Sequence, residues 1–242
     1  MRWISAGAVL NSCSWTIVTT AQLGMGLQLA PTQEHLVQMT ALMRSAAQLS
    51  SFFVLPACGA LSDWVGRKPV LVARSCIVFL FSGLVALSPS YPVFLLHRFV
   101  SNFTHHLTDA MTHAAVADLY QGQQLASATA GLKSQMGLAM LAGPALGGRL
   151  AERSFSLCFA LSSLCGLANV ALFGVGMSET RDETAVGSSQ RGAFTKVSPL
   201  SFLALFRTRT LAKLTLALGV SEMCDGTHRS MHGLHTSMCF YT

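Results

Sequence analysis

Long runs without charge alternate with short charged patches along this chain. Residues 3 to 33, 45 to 62, 75 to 97 and 154 to 178 hold no Asp, Glu, Lys or Arg, and 120 to 148 hold only Lys133. A helix needs about 20 apolar residues to cross the hydrocarbon layer, because it rises about 1.5 Å per residue and an unsatisfied backbone group in lipid is costly. The pattern predicts six membrane-spanning helices, at about 5–27, 41–61, 71–88, 92–117, 127–147 and 155–177. The first is the most diluted, by Asn11, Ser12, Ser14, Thr16, Thr19, Thr20 and Gln22, and the fourth is polar along one side. Arg2 before an apolar run also fits a secretory signal, but no small-residue cleavage site closes a compact apolar core.

The connections are short. "PSYP" at 89 to 92 and "RLAERS" at 149 to 154 leave room only for turns, which makes neighbouring helices antiparallel partners in one bundle. After Met177 the character changes, and "SETRDETAVGSSQRGAFTK" reads as a polar cytosolic linker. The expected organisation is a six-helix transmembrane bundle over 1–178, a linker over 179–210, and a partial seventh helix with an irregular tail over 211–242. In that last segment "LAKLTLALGVSEMC" is apolar for too few residues to span.

Composition agrees with a membrane chain. Only 11% of the 242 residues are charged and 51% are hydrophobic, whereas a soluble domain carries roughly 25% charge. The net charge of +6 needs no nucleic acid as partner, since the cations collect on one side of the predicted bundle. With the N-terminus in the cytosol, Arg2, Arg67, Lys68, Arg74, Arg181, Arg191, Lys196, Arg207, Arg209 and Lys213 fall on the inner side, against Arg44, Arg149 and Arg153 outside. That asymmetry follows the positive-inside rule. The seven cysteines are scattered through predicted spans and give no disulfide or zinc framework, so they read as small packing residues. His228, His232 and His235, with Cys224 and Cys239, lie in a glycine-containing tail without periodicity, which argues against a metal site there.

The fourth span carries the candidate chemistry. Arg98, Asn102, His105, Asp109 and His113 are separated by four, three, four and four positions, which places them on one helical face about 80° wide. Ionisable groups inside a membrane are expensive unless they pair or face water, so they are functional candidates by default. Asp109 and His105, one turn apart, suit a proton-carrying pair, and Arg98 suits a counter-charge or an anion contact. The other readings are a stripe that only bonds neighbouring helices, or a metal on His105, Asp109 and His113 as in an intramembrane metalloenzyme; no second ligand cluster in the other spans supports the metal. In the fifth span, Gly131, Gly137, Gly143, Pro144, Gly147 and Gly148 predict a bent helix with flat faces for close packing.

The charged turn "GALSDWVGRKPVLV" and these two helices resemble, in order and spacing, the major facilitator superfamily of secondary transporters. Gly59, Asp63, Gly66, Arg67 and Lys68 match that family's signature between its second and third helices, with Trp64 where a cation is usual. Arg98 is similar to the basic residue of the family's fourth helix, and Asp118 to an acid of its cytosolic charge cluster. Gly143, Pro144, Gly147 and Gly148 resemble the fifth-helix motif of antiporters, and "SETR" the close of the sixth helix. The resemblance implies an all-α fold, the N-terminal half of a twelve-helix protein whose halves rock about a central site. It implies alternating-access transport of a small solute, with no cofactor and no enzymatic activity, and the polar stripe adds the expectation that transport is coupled to protons. It further implies that the missing half completes the cavity and offers the helix against which the Asp63 turn locks. The expected partners are therefore the bilayer, an unknown solute, and a second half-transporter or full-length relative. The alternative is a half-length membrane protein that regulates such a partner without carrying solute.

Overall fold

The computed structural model describes residues 2–178 and, further on, positions 208, 210, 212, 213, 216, 217 and 220. The chain divides into two compact units, 1–195 and 196–242. In the second, Thr210, Ala212, Lys213, Leu216, Ala217 and Val220 are helical. Most of the expected linker, the "ETR" of "SETR" and the histidine-bearing tail lie outside the described residues, as does the side chain of Asp63.

In the first unit every described element is a helix: α1 (Arg2–Leu29), α2 (Gln33–Val65), α3 (Arg67–Leu87), α4 (Tyr91–Leu119), α5 (Gly122–Ala151) and α6 (Phe155–Ala171), which widens into a π-turn at Leu172–Gly176. Each predicted span falls within one of them, apart from single-residue overruns at Ser88 and Met177. The largest difference is at the start of α2, eight residues before the expected position. Thr32 caps this helix by accepting a hydrogen bond from the His35 N–H at 3.2 Å, so the helix begins in the polar segment before its apolar run. At 33 residues α2 is about 50 Å long, more than the hydrocarbon layer requires.

Among the described helices, only α3 and the α6 segment Phe155–Gly176 are long and apolar enough to cross a membrane by composition alone. The other four fall short because polar and charged residues dilute them, and many of their hydroxyls are satisfied within their own helix. Thr16 donates to Ser12 O at 2.9 Å, Thr20 to Ile17 O at 2.7 Å, Ser51 to Ala47 O at 2.8 Å and Thr108 to Thr104 O at 2.9 Å. A hydroxyl bonded back to its own turn needs no water, so such a helix can be buried despite its sequence.

The most extensive pairings are α1 with α5, α3 with α6 and α2 with α4. Two apolar cores form at opposite ends of the helices. Ile4, Ala8, Leu71, Met111, Ala115, Leu132 and Phe173 make one. Ile17, Ala21, Met25, Val85, Phe94, Cys158 and Phe159 make the other. Between them lies a buried polar layer of Asn11, Ser14, Arg74, Ser82, His97, Thr104 and Ser162. Apolar side chains remain uncovered on several helices. Leu42, Leu49 and Leu61 are exposed on α2, Leu138 and Leu141 on α5, and Leu80, Leu84 and Leu87 on α3.

Candidate functional site: the polar face of α4 and the helices around it

All five stripe residues lie on α4, as the spacing requires, but they meet different neighbours. Arg98 donates through a guanidinium nitrogen to the Gln22 side-chain oxygen of α1. Asn102 turns back on its own helix and donates to Arg98 O at 2.9 Å. The His105 ring lies flat on Trp15 of α1, with centroids 4.3 Å apart and planes 9° from parallel. Asp109 lies within electrostatic reach of the buried Arg74 guanidinium of α3, and His113 within reach of both Asp109 and Lys133 of α5. The stripe thus joins α1, α3 and α5 through one helix. On its flank, His106 shares a hydrogen bond of 2.9 Å with Gln48 of α2.

Arg74 corrects the sequence reading. It was expected among the inner-side cations, yet it sits seven residues into α3 with a relative exposure of 5%. Seven residues advance a helix by about 10 Å, which carries the side chain away from the charged end and into the bundle. Its presence inside a predicted span was the available signal, since a cation there asks for a partner. Gln22 and Trp15 were legible only as dilution of the first span, because nothing in their spacing points to α4.

Several buried polar atoms on these helices have no hydrogen-bond partner: Asp109 Oδ1, Arg98 Nε, Arg74 Nε, Gln22 Nε2 and Thr112 Oγ1. Buried polar groups are nearly always paired, and unpaired ones mark places where water or solute belongs. No group of three or more His, Cys, Asp or Glu side chains suited to a metal occurs among the described residues. The site is therefore a set of separated charges and donors spread along one helix.

The signature turn is tighter than a loop. Gly66 alone joins α2 to α3, at φ 113° and ψ 159°, a backbone conformation that side chains disfavour, and its N–H bonds to Ser62 O at 2.9 Å. Gly59, expected to permit a close approach, has open space where a Cβ would lie. Arg67, the first residue of α3, pairs through Nε with Asp118 Oδ2 at 3.1 Å and also donates to the Ser62 hydroxyl. Asp118 belongs to the last turn of α4 rather than to the following loop, and Lys68 is the second residue of α3. Arg67 thus clasps the ends of α2, α3 and α4. Because the Arg67–Asp118 pair is partly exposed, Asp118→Asn is expected to lower stability by about 1 kcal/mol or less. Arg67→Ala also removes the bond to Ser62 and should cost roughly twice as much, measured as the thermal midpoint of the purified chain.

The glycines of α5 divide by face. Gly143 packs on Thr16 of α1, and a Cβ added to it would lie 3.2 Å from Cys13 O. Gly147 packs on Thr20 and Ile17, whose carbonyl oxygen would lie 2.9 Å from a Cβ there. Gly131, Gly137 and Gly148 have nothing within 4 Å. Pro144 lies inside the helix, beside the α1 contact, where it removes one backbone donor. The same helix borders an open cleft of about 370 Å³ lined by Ser5, Gln124, Ser127, Gly131 and Gln135.

The Major Facilitator Superfamily model matches residues 4–226. The class C tetracycline resistance protein of Escherichia coli is 31% identical over 124 residues, which cover 51% of this chain and 31% of that protein. Mouse major facilitator superfamily domain-containing protein 10 is 32% identical over 126 residues, covering 51% and 27%. The chain spans half or less of the length of these curated relatives. In fold it is similar to the crystal structure of the human organic anion transporter MFSD10, with a TM-score of 0.70 at 20% identity, over 85% of this chain and 54% of that one. With the family model covering nearly all of its length and the helices following the same fold, the chain belongs to the major facilitator superfamily.

Proposed function

We propose that this chain moves a small anionic solute across a bilayer by alternating access, as one six-helix half of a transporter, with protons as the coupling ion. The observation that carries this reading is the balance of charge on the helix interiors. Arg74, Arg98 and Lys133 lie well inside α3, α4 and α5, and Asp109 is the only carboxylate within the described helices away from their ends. A cation inside a span is costly in lipid unless an anion shares the space, above all Arg74, which is buried, and Arg98, which is half-buried. Arg98 also lies within reach of a second cation, Arg44, which strengthens the preference for negative charge. One similar structure points the same way, being that of a human organic anion transporter.

In this reading Arg98, held by Gln22, contacts the solute. Asp109 carries the proton, exchanging it with His113 or with water, beside the buried Arg74 guanidinium. Asn102 and His105 line the path, the second fixed by its stack on Trp15. The exposed leucines of α2 and α5, and the open glycines of α5, offer a surface on which a second six-helix unit packs. The N-terminus, the Gly66 joint and residues 179–210 face the cytosol; without Arg74, nine inner cations still outnumber the three outer ones.

Reconstitution in liposomes tests the reading. With an imposed pH gradient, a carboxylate dye is expected to accumulate at least about tenfold over a quaternary ammonium dye of similar size. Preference for the cation, or equal anion uptake with and without the gradient, contradicts the proposal.

A further inference from the structure

The polar layer between the two apolar cores encloses a cavity on the side of α4 away from the stripe. It holds about 20 Å³ and is walled by α1, α3, α4 and α6. Through it runs a chain of hydrogen bonds: Ser14 to Ser162 at 2.8 Å, Ser162 to Ser82 at 3.2 Å, and Ser82 to His97 Nε2 at 3.3 Å. Each link comes from a different helix, so the chain ties all four together at mid-height.

The unpaired atoms on this wall share one character. Asn11 Nδ2 and Arg74 Nε are buried donors without a partner, on residues only 3% and 5% exposed. Neither group can accept a hydrogen bond. His97, 3% exposed, has an unpaired Nδ1, and this nitrogen carries the proton when Nε2 accepts from Ser82. Two donors therefore lack an acceptor, one of them on a guanidinium, and in that His97 tautomer there is a third. Among the described residues, no Asp or Glu lines the cavity. Asp109 acts on the Arg74 charge without being part of this wall. A cavity of this size exceeds the roughly 10–15 Å³ that one water needs and is far too small for an organic solute.

We infer that this cavity is a binding site for a single small inorganic anion of chloride size, held by Arg74, Asn11 and His97, beside the solute path, with which it shares the Arg74 charge. A water would supply an acceptor but no charge. An anion supplies both, and it lets a guanidinium stay buried at the centre of the bundle. The bound ion would act as a structural pin where α1, α3, α4 and α6 meet.

Sodium chloride and sodium gluconate, compared at equal ionic strength and pH, test this on the purified full chain. Chloride is expected to raise the thermal midpoint saturably, by about 4 °C, because a ligand that binds only the folded state stabilises it. Equilibrium dialysis with radioactive chloride is expected to find about one ion per chain, displaced by bromide and not by gluconate. Asn11→Leu and Ser162→Ala should each abolish the chloride-dependent rise while keeping the midpoint in gluconate. Arg98→Gln, on the solute path, should keep the rise. Equal midpoints in the two salts, as a cavity holding only water would give, overturn the inference. So does a rise that survives in Ser162→Ala, which decides the matter if Asn11→Leu does not fold. Loss of the rise in Arg98→Gln alone would place the anion on the stripe and likewise overturn it.

Discussion

Asp109→Asn is expected to cut uptake driven by a pH gradient by about 100-fold, while exchange of labelled for unlabelled solute at equal pH stays within about threefold. Exchange needs the path and the rocking motion but no net proton movement, so an amide of the same shape leaves it intact. Uphill uptake needs a group that gains and loses a proton, and no other carboxylate lies within the interior of the described helices. The substitution also removes the charge nearest the buried Arg74 guanidinium, which should cost about 2 kcal/mol of stability. Adding Arg74→Gln to Asp109→Asn is expected to restore most of that stability without restoring coupled uptake. Paired measurement of the thermal midpoint and of uptake therefore separates the two roles. Coupled uptake that persists in Asp109→Asn at the parent's rate would remove this residue from the proton path.

Gly147→Val should have the largest effect on folding. A side chain at this position must enter the space of Thr20 and of the Ile17 backbone, whose carbonyl oxygen and Cα lie 2.9 and 3.1 Å from the Cβ position. A threonine side chain can rotate, but helix backbone cannot give way without moving α1 from α5. Overpacking of this kind costs about 3 kcal/mol or more, a fall of roughly 6 °C or more in the midpoint. Gly137→Ala, where nothing lies within 4 Å, is expected to change the isolated chain in the opposite sense by about 0.5–1 kcal/mol, since alanine restricts the unfolded backbone. Equal effects at the two positions would mean that α1 and α5 are not closely packed.

These two substitutions also show what the sequence made legible. Both residues lie in patterns visible without a structure: Asp109 in a register of five polar positions, Gly147 in a glycine-rich helix. The register survives because a single helix fixes its own faces, whatever packs against it. What could not be read is which partner each face meets. Gly143 and Gly147 touch α1 whereas Gly137 and Gly148 do not, and all four are the same residue in one short stretch. Arg74 was misplaced for a related reason. Charge counting assigns a cation to the nearest end of a span, while burial depends on what the neighbouring helices bring to it. The six helices themselves were legible from uncharged runs, but their ends were not, as Thr32 shows by starting α2 well before its apolar segment. The anion cavity needed all four of its helices to be placed, since its serines come from positions as far apart as 14 and 162.

The Gly66 joint has a mechanical meaning. One residue separates a 33-residue helix from a 21-residue one, and Arg67 beside it is tied to both Ser62 and Asp118. Such a corner has no slack. A longer loop would absorb a tilt of α2 in its own flexing, whereas here the tilt becomes torque on α3 and, through Asp118, on the end of α4, the helix that bears Asp109. The shortest connection in the bundle is thus also its stiffest crank, and a tilt of α2 is passed directly to the end of the helix that bears Asp109.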